Sequence, residues 1–267
     1  MELGNSQSAN ARLRWRPAGI ARAALPAALV MLLFARVASA NPSVAFFSGE
    51  RIPVDLLGHF DQVVVDPDRL PDPALRDLVG HGALAVAYVN ASEIDGDRVW
   101  SRGADRAWSL GESAGWRSTI VDVAQPGWQA MLIDYAASQW ERGFRGVYLD
   151  GLDTFRRVVR NPARIRACER GVVSLVRALH ARLPNAKILL RGGFEALPEV
   201  KDLVAGVVAG PLHRDYEVDT KRYREIPEEE RRALLSRLAG IARDTRLPVT
   251  VLDYAPASER EEARKAA

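Results

Sequence analysis

The stretch GFRGVYLDGLDTF, residues 143–155, contains a short apolar strand that ends in an aspartate. Side chains in a β-strand alternate between two faces, so Tyr148 and Asp150 share one face and Val147 and Leu149 the other. A strand that is apolar on both faces is typical of a parallel sheet covered by helices. The segment therefore predicts an α/β fold with Asp150 at the carboxyl end of a buried strand and Asp153 in the following loop.

Seven other short runs of apolar and β-branched residues resemble this strand. The eight predicted strands are 44–47, 62–66, 84–90, 119–123, 146–150, 187–191, 206–209 and 249–253. Helical periodicity occupies the intervals at 72–80, 126–142, 161–183, 196–203 and 227–245. Eight strands that alternate with helices in about 230 residues predict a (β/α)8 TIM barrel, built as a single domain. The segment 93–117, which contains Trp100, Trp108 and Trp116, is predicted to be a long loop after the third strand.

The first 40 residues differ from the rest of the chain in charge and hydropathy. They hold five arginines and one glutamate, a net charge of +4, whereas the whole chain of 267 residues carries +3. An apolar stretch at 23–34 follows the basic residues, and Ala38-Ser39-Ala40 matches a signal-peptidase site. Residues 1–40 are therefore predicted to be a signal peptide, and 41–267 the mature domain, exported to the periplasm or the extracellular space. The alternative is an uncleaved signal anchor.

Composition and motif spacing argue against several functions. Hydrophobic residues make up 48% of the chain, which is too many for a disordered protein. After signal cleavage, no apolar run long enough to span a membrane would remain. Basic residues do not cluster with aromatic ones, so no nucleic-acid partner is predicted. The four histidines lack metal-ligand spacing and no phosphate-binding glycine pattern occurs, so we predict no metal and no cofactor.

Acidic residues follow five of the eight predicted strands. Barrel enzymes place their reacting groups at the carboxyl ends of strands, and glycoside hydrolysis needs two carboxylates there, with aromatic rings to stack on the sugar. The candidate acids are Asp66, Glu93, Asp150 with Asp153, Glu195 and Asp253, and the candidate rings are Tyr88, Trp100, Trp108, Trp116 and Tyr254. The alternatives are ordinary packing for the rings, a helix cap for Asp153 and a buried hydrogen-bonded pair for Asp150.

Six segments together resemble a known family over residues 43–260. They are VAFFSG (44–49), FDQVVVDP (60–67), AYVNASE (87–93), GFRGVYLDGLD (143–153), RGGFEALP (191–198) and VTVLDY (249–254). They are similar to glycoside hydrolase family 114, whose members are (β/α)8 barrels described as endo-α-1,4-polygalactosaminidases. The family includes the hydrolase domain of the Pel exopolysaccharide system. The resemblance implies a galactosamine-containing polysaccharide as substrate.

The resemblance also implies roles for individual residues. Asp150 matches the acid at the end of the family's fifth strand and is expected to be the principal catalytic acid, with Asp153 and Glu93 in support. Five further residues are expected to bind the substrate, with the rings lining the sugar cleft: Tyr88, Trp100, Glu195, Asp253 and Tyr254.

One position departs from the family's pattern. The seventh strand of the family ends in a glutamate that is expected to be the second catalytic carboxylate, but this chain has GVVAGPL at 206–212, with Gly210 at that position. There are three explanations: another acid, such as Glu93, Glu195, Asp215 or Glu217, replaces the glutamate; the chain is a carbohydrate-binding pseudoenzyme that no longer hydrolyses its ligand; or the alignment with the family is shifted at this strand.

Overall fold

The computed structural model describes residues 42–49, 51–94, 98–113, 118–217, 220–256 and 259. All of them belong to one compact unit, residues 41–267. The predicted signal peptide at 1–40 lies outside the described residues, as does Trp116. Among the described helices, none combines the length and the apolar character that a membrane span requires.

Seven of the twelve strands form one parallel sheet, in the order β1-β2-β3-β7-β8-β9-β12. The strands in chain order are β1 Val44–Phe47, β2 Gln62–Val65, β3 Leu84–Asn90, β4 Glu93–Ile94, β5 Ser109–Ser113, β6 Ser118–Val121, β7 Gly146–Asp150, β8 Lys187–Arg191, β9 Gly206–Ala209, β10 Arg214–Glu217, β11 Arg222–Glu225 and β12 Val249–Val251. The sheet curls like a barrel wall, because apolar side chains from β1, β2, β3, β7, β8 and β9 meet in one interior cluster. The predicted α/β barrel class is thus confirmed.

The fourth predicted strand is the exception. The strand predicted at 119–123 forms over Ser118–Val121, as β6, but it pairs antiparallel with β4 and β5 in a separate three-stranded sheet. In the parallel sheet β3 pairs directly with β7, with Asn90 opposite Asp150. The segment 93–117 is therefore not only a loop, since it supplies β4 and β5. An apolar run indicates a strand but does not determine its partner, which explains the difference.

Helices cover the outer face of the sheet. They are α1 Val54–Leu57, α2 Asp72–Gly80, α3 Pro126–Arg142, α4 Pro162–Arg182, α5 Leu197–Val200 and α6 Glu228–Thr245. Their ends follow the sequence signals, since Asn161 caps α4 through the amides of Ala163 and Arg164, and Gly143 ends α3 with a φ of 126°. The helix predicted at 196–203 is instead a short α-helix between two 3-10 turns, with Pro198 in its first turn.

The outer core joins α3 and α4 to the sheet. Trp128 of α3 is fully buried, and its indole nitrogen donates a hydrogen bond to the carbonyl of Ala91 at 2.8 Å. Cys168 of α4 is also fully buried, and its thiol donates to Asp122. Burial, reinforced by the charge of Asp122, raises the pKa of the Cys168 thiol to about 12. Cys168 is therefore a packing residue in this core.

Two glycines within helices allow the close packing of α4 to be tested. A Cβ on Gly171 of α4 would lie 2.6 Å from the Cα of Ala124, whereas a Cβ on Gly240 of α6 would meet only the end of the Arg243 side chain at 3.9 Å. Helix propensity alone favours alanine over glycine by about 1 kcal/mol. We expect Gly240→Ala to raise the free energy of unfolding by up to that amount, and Gly171→Ala to lower it by about 1–3 kcal/mol through overpacking. Urea denaturation of both variants measures this, and stabilisation by Gly171→Ala would contradict the tight contact.

Candidate functional site

The interior face of the parallel sheet leads directly to the candidate site. Five buried interior residues, one from each of five strands, are Val64, Val86, Tyr148, Leu189 and Val208. Because side chains on one face recur every two residues, the next interior position toward the carboxyl end is two residues further on in each strand. Those positions are Asp66, Tyr88, Asp150, Arg191 and Gly210. The apolar barrel interior is therefore succeeded by polar groups at its carboxyl-terminal mouth.

Asp150 is surrounded by hydrogen-bond donors. The Tyr88 hydroxyl donates to its Oδ2 at 3.1 Å, and the Gly151 amide donates to its Oδ1 at 2.8 Å. The Arg191 guanidinium lies 3.7 Å from Oδ2, and the Asp150 side chain keeps 19% of its surface exposed. These donors satisfy both carboxylate oxygens, and the side chain remains partly accessible to solvent.

The tyrosines beside Asp150 stay protonated. Burial, followed by the charge of Asp150 and the hydrogen bond to it, raises the pKa of Tyr88. Burial and the charge of Asp150 also raise the pKa of Tyr148, while Arg191 opposes the shift. Both phenols are therefore neutral hydrogen-bonding groups rather than anions.

Arg191, at the carboxyl end of β8, lies beside Asp150, Tyr148 and Tyr254. Burial alone would lower the pKa of its guanidinium, but Asp150, Tyr148 and Tyr254 together raise it. The side chain is a permanent cation at the barrel mouth, between one carboxylate and two phenols. Residues 187–191 were predicted as a strand, and the alternation that places Asp150 in the mouth also places Arg191 there, although it was not selected as a site residue.

Asp66 is bound to the loop that follows β3. Its two carboxylate oxygens each accept a hydrogen bond from Arg98, at 2.9 Å, and Arg98 also contacts Asp68 at 3.1 Å. The Arg98 guanidinium lies 6.0 Å from the centre of the Tyr88 ring. This bidentate pair fastens residues around 98 to the carboxyl end of β2.

Glu93 is buried among partners of its own. It is 7% exposed, accepts a hydrogen bond from Ser118 of β6, and lies 3.4 Å from Arg157. Its backbone amide donates to Asn90. The structure therefore places Glu93 in the small antiparallel sheet, where it joins that sheet to the segment after β7.

Asp153 and Glu195 lie together beyond the end of β8. A Cβ on Gly192 would come within 2.5 Å of an Asp153 carboxylate oxygen, so this carboxylate packs directly onto the Gly192 turn. Asp153 as a whole residue is exposed. Its carboxylate is nevertheless partly desolvated at the Gly192 turn, and this desolvation, together with the charge of Glu195, raises the pKa of Asp153. Glu195 pairs with Arg237 of α6 at 2.8 Å and with Arg156 at 3.4 Å.

Asp253 holds the loop that follows β9. Its Oδ1 accepts hydrogen bonds from three consecutive backbone amides, those of Leu212, His213 and Arg214, at 2.7, 2.7 and 3.2 Å. Tyr254 follows it, with its amide bonded to the Arg214 carbonyl and its side chain 36% exposed. Asp253 therefore anchors the loop, and Tyr254 places a partly exposed ring beside Arg191.

Trp100 packs under its loop. Its ring stacks on Trp128 at a centroid distance of 5.5 Å and on Tyr135 at 4.7 Å, both from α3. Trp108 packs similarly over Gly127 at the start of α3. The packing alternative accounts for the positions of both rings, and a contact between Trp100 and a sugar stays a prediction.

Gly210 immediately follows β9, at the interior position where the family pattern has its glutamate. Its φ is 121°, a conformation that L side chains rarely adopt, and a Cβ would lie 2.2 Å from the Leu252 carbonyl oxygen. The backbone of this strand end therefore has no space for any side chain. The difference from the family pattern involves the path of the chain as well as the identity of one residue.

The barrel mouth has one carboxylate, Asp150, bordered by two phenols and a guanidinium, groups that suit hydroxyl-rich ligands. Among the other predicted acids, Asp66, Glu93 and Glu195 contact arginines, and Asp253 accepts hydrogen bonds from backbone amides. Within the described ranges, no group of three or more His, Cys, Asp or Glu side chains is arranged to hold a metal ion.

Comparison with known proteins agrees with this geometry. The model of glycoside-hydrolase family GH114 matches residues 37–267. The glycoside hydrolase domain of PelA from Pseudomonas aeruginosa is 32% identical, with a TM-score of 0.74 over 84% of this chain and 89% of that domain. A glutamate-to-alanine variant of the same domain matches equally. Ega3 of Aspergillus fumigatus, in complex with galactosamine, is 14% identical with a TM-score of 0.58 over 83% and 84% of the two chains, a likeness of fold. No curated protein sequence matches significantly.

The Gly210 backbone predicts that restoring a side chain there destabilises the barrel. We expect Gly210→Ala to lower the free energy of unfolding by about 2–4 kcal/mol, because it combines an unfavourable φ with a backbone collision. Gly82 is the matched control, since its φ is 94° but nothing lies within 4 Å of its Cβ position, so Gly82→Ala should cost only about 1 kcal/mol. Urea denaturation compares them, and equal losses would show that the Leu252 contact is harmless.

Proposed function

This chain belongs to glycoside-hydrolase family GH114, and we propose that it acts on a galactosamine-containing polysaccharide with Asp150 as the principal reacting carboxylate. The observation that carries the proposal is the environment of Asp150 at the barrel mouth. Its carboxylate is 19% exposed and lies among Tyr88, the Gly151 amide and Arg191, whereas the acids Asp66, Glu93, Glu195 and Asp253 hold loops or helices through partners of their own. The galactosamine complex of Ega3 supports an amino sugar as the ligand.

The contacts of Asp150 favour a role for the ionised form. Tyr88, Gly151 and Arg191 are all donors, which suits a carboxylate that attacks or activates, rather than a carboxylic acid that gives up a proton. We therefore propose that Asp150 stabilises positive charge at the anomeric carbon or acts as nucleophile or base there. Tyr88 orients the carboxylate, and Asp153 and Glu93 support the surrounding loops.

Hydrolysis also needs a proton donor for the leaving oxygen. Gly210 cannot supply it, so the proton donor must come from another element. Among the acids considered from the sequence, Asp215 and Glu217 belong to β10, which begins four residues after Gly210. They share Arg224 of β11, at 3.9 and 3.6 Å. Asp215 and Glu217 are therefore the candidates for the second carboxyl group that lie nearest to Gly210 along the chain.

Export is proposed from the sequence of residues 1–40. The basic start, the apolar stretch and the Ala38-Ser39-Ala40 site support a cleaved signal and a periplasmic or extracellular location. An exported hydrolase of this family would meet polysaccharide outside the cytoplasm.

The proposal predicts that activity depends on Asp150. We expect the purified chain to release new reducing ends from partially deacetylated galactosaminoglycan, and Asp150→Asn to lower the rate by roughly a thousandfold or more. Asp134→Asn, on the exposed face of α3, is the matched control and should retain full activity. If wild type and Asp150→Asn release the same background amount, the chain is not a hydrolase that uses Asp150. A normal rate for both Asp215→Asn and Glu217→Gln would exclude the β10 pair.

A second candidate function is carbohydrate binding without hydrolysis. The geometry of Gly210 favours it, because the strand that provides the second carboxylate in the family is closed to side chains here. Calorimetry with galactosamine oligosaccharides separates the two candidates. Binding without the appearance of reducing ends identifies a binding protein, and the absence of binding contradicts both.

A further inference from the structure

The Tyr148 hydroxyl has no hydrogen-bond partner among the described residues, although it is completely buried. The whole residue is 2% exposed. A buried polar group without a partner is unfavourable, and native proteins retain such groups rarely. The buried Tyr148 hydroxyl therefore suggests a hydrogen-bond partner that is not one of the described residues.

The position of this hydroxyl is at the floor of the barrel mouth. The Tyr148 ring packs edge-on against Phe46 at 5.4 Å and lies 5.9 Å from the Tyr88 ring, within the apolar cluster of the barrel. The groups that act on its phenol are Asp150, Arg191 and Tyr254, all at the carboxyl ends of strands. The hydroxyl therefore lies beside the polar groups of the barrel mouth.

Tyr88 provides an instructive contrast. It is one strand away, with Tyr88 directly opposite Tyr148 in the pairing of β3 with β7, and its hydroxyl donates to Asp150. One phenol of this neighbouring pair is thus satisfied by the protein and the other is not. Arg191 lies close to the Tyr148 hydroxyl, but no hydrogen bond of good geometry joins them.

We propose that the Tyr148 hydroxyl binds substrate, by hydrogen bonding to an uncharged hydroxyl group of the sugar residue that lies against Asp150. This inference rests on the proposed function, because it assumes that a sugar occupies the mouth. The phenol of Tyr148 donates to the sugar oxygen, and the sugar hydroxyl donates its own proton to the Asp150 carboxylate. Arg191 adds a second donor on the same side.

The donors beside Tyr148 favour an oxygen of the sugar in this corner. The Arg191 guanidinium carries only donors and binds oxygen lone pairs, while the Asp150 carboxylate 3.7 Å from it accepts the hydroxyl proton. Tyr148 and Arg191 together are specificity-determining residues that orient the sugar on Asp150.

The inference predicts opposite effects on stability and on binding. Tyr148→Phe removes an unsatisfied hydroxyl and keeps the ring, so the urea midpoint of unfolding should stay unchanged or rise. The same variant should weaken the binding of a galactosamine tetrasaccharide, measured by calorimetry on the full chain, by about three- to tenfold. Tyr88→Phe is the matched control, because it removes a satisfied hydroxyl and should lower the urea midpoint.

The outcomes separate this inference from the proposed function. Tetrasaccharide binding by wild type that is equally strong in Tyr148→Phe overturns the role of Tyr148 and leaves the proposed function intact. A fall in the urea midpoint for Tyr148→Phe as large as that for Tyr88→Phe, with unchanged binding, identifies a structural hydroxyl and also overturns it. If wild type binds no tetrasaccharide, the proposed function fails and this inference fails with it.

Discussion

The interior face of the parallel sheet continues from the apolar core into the polar mouth, and the two-residue period of the strands makes this continuity unavoidable. A residue that packs in the core fixes the direction of the residue two places later in the same strand. Because Tyr148 packs in the core, Asp150 must face the mouth, and because Leu189 packs in the core, Arg191 must face it too. A slip of one residue in register would direct these polar groups into the layer between sheet and helices, so the packing of the barrel and the composition of the site are specified together.

Gly210 is subject to the same constraint with a different result. Val208 packs in the barrel interior, so position 210 must face the mouth, yet its backbone approaches Leu252 too closely for a side chain. One strand therefore contributes only main chain to the site. Under the proposed function, the reacting carboxyl groups would then have to come from other strand ends and loops, Asp150 among them.

Much of the fold was predictable from the sequence because the central strands are apolar on both faces. The bounds of β3, β7, β8 and β9 agree with those predicted, and the caps at Asn161 and Gly143 are local signals that tertiary contacts did not override. The partner of β6 was not predictable, because pairing depends on contacts distant in sequence. For the same reason the engagement of Asp66 by Arg98, 32 residues away, could not be anticipated. The position of Asp150 at the barrel mouth was predictable from the alternation of its strand alone. The same rule would have placed Arg191 there.

The attachment of the β9 loop bears on how such a barrel changes during evolution. Asp253 grips residues 212–214 only through their amide groups, which every amino acid except proline possesses. The side chains at these positions can mutate while the anchor persists. The loop beyond Gly210 can therefore change its side chains while the backbone contacts that attach it to the barrel stay the same.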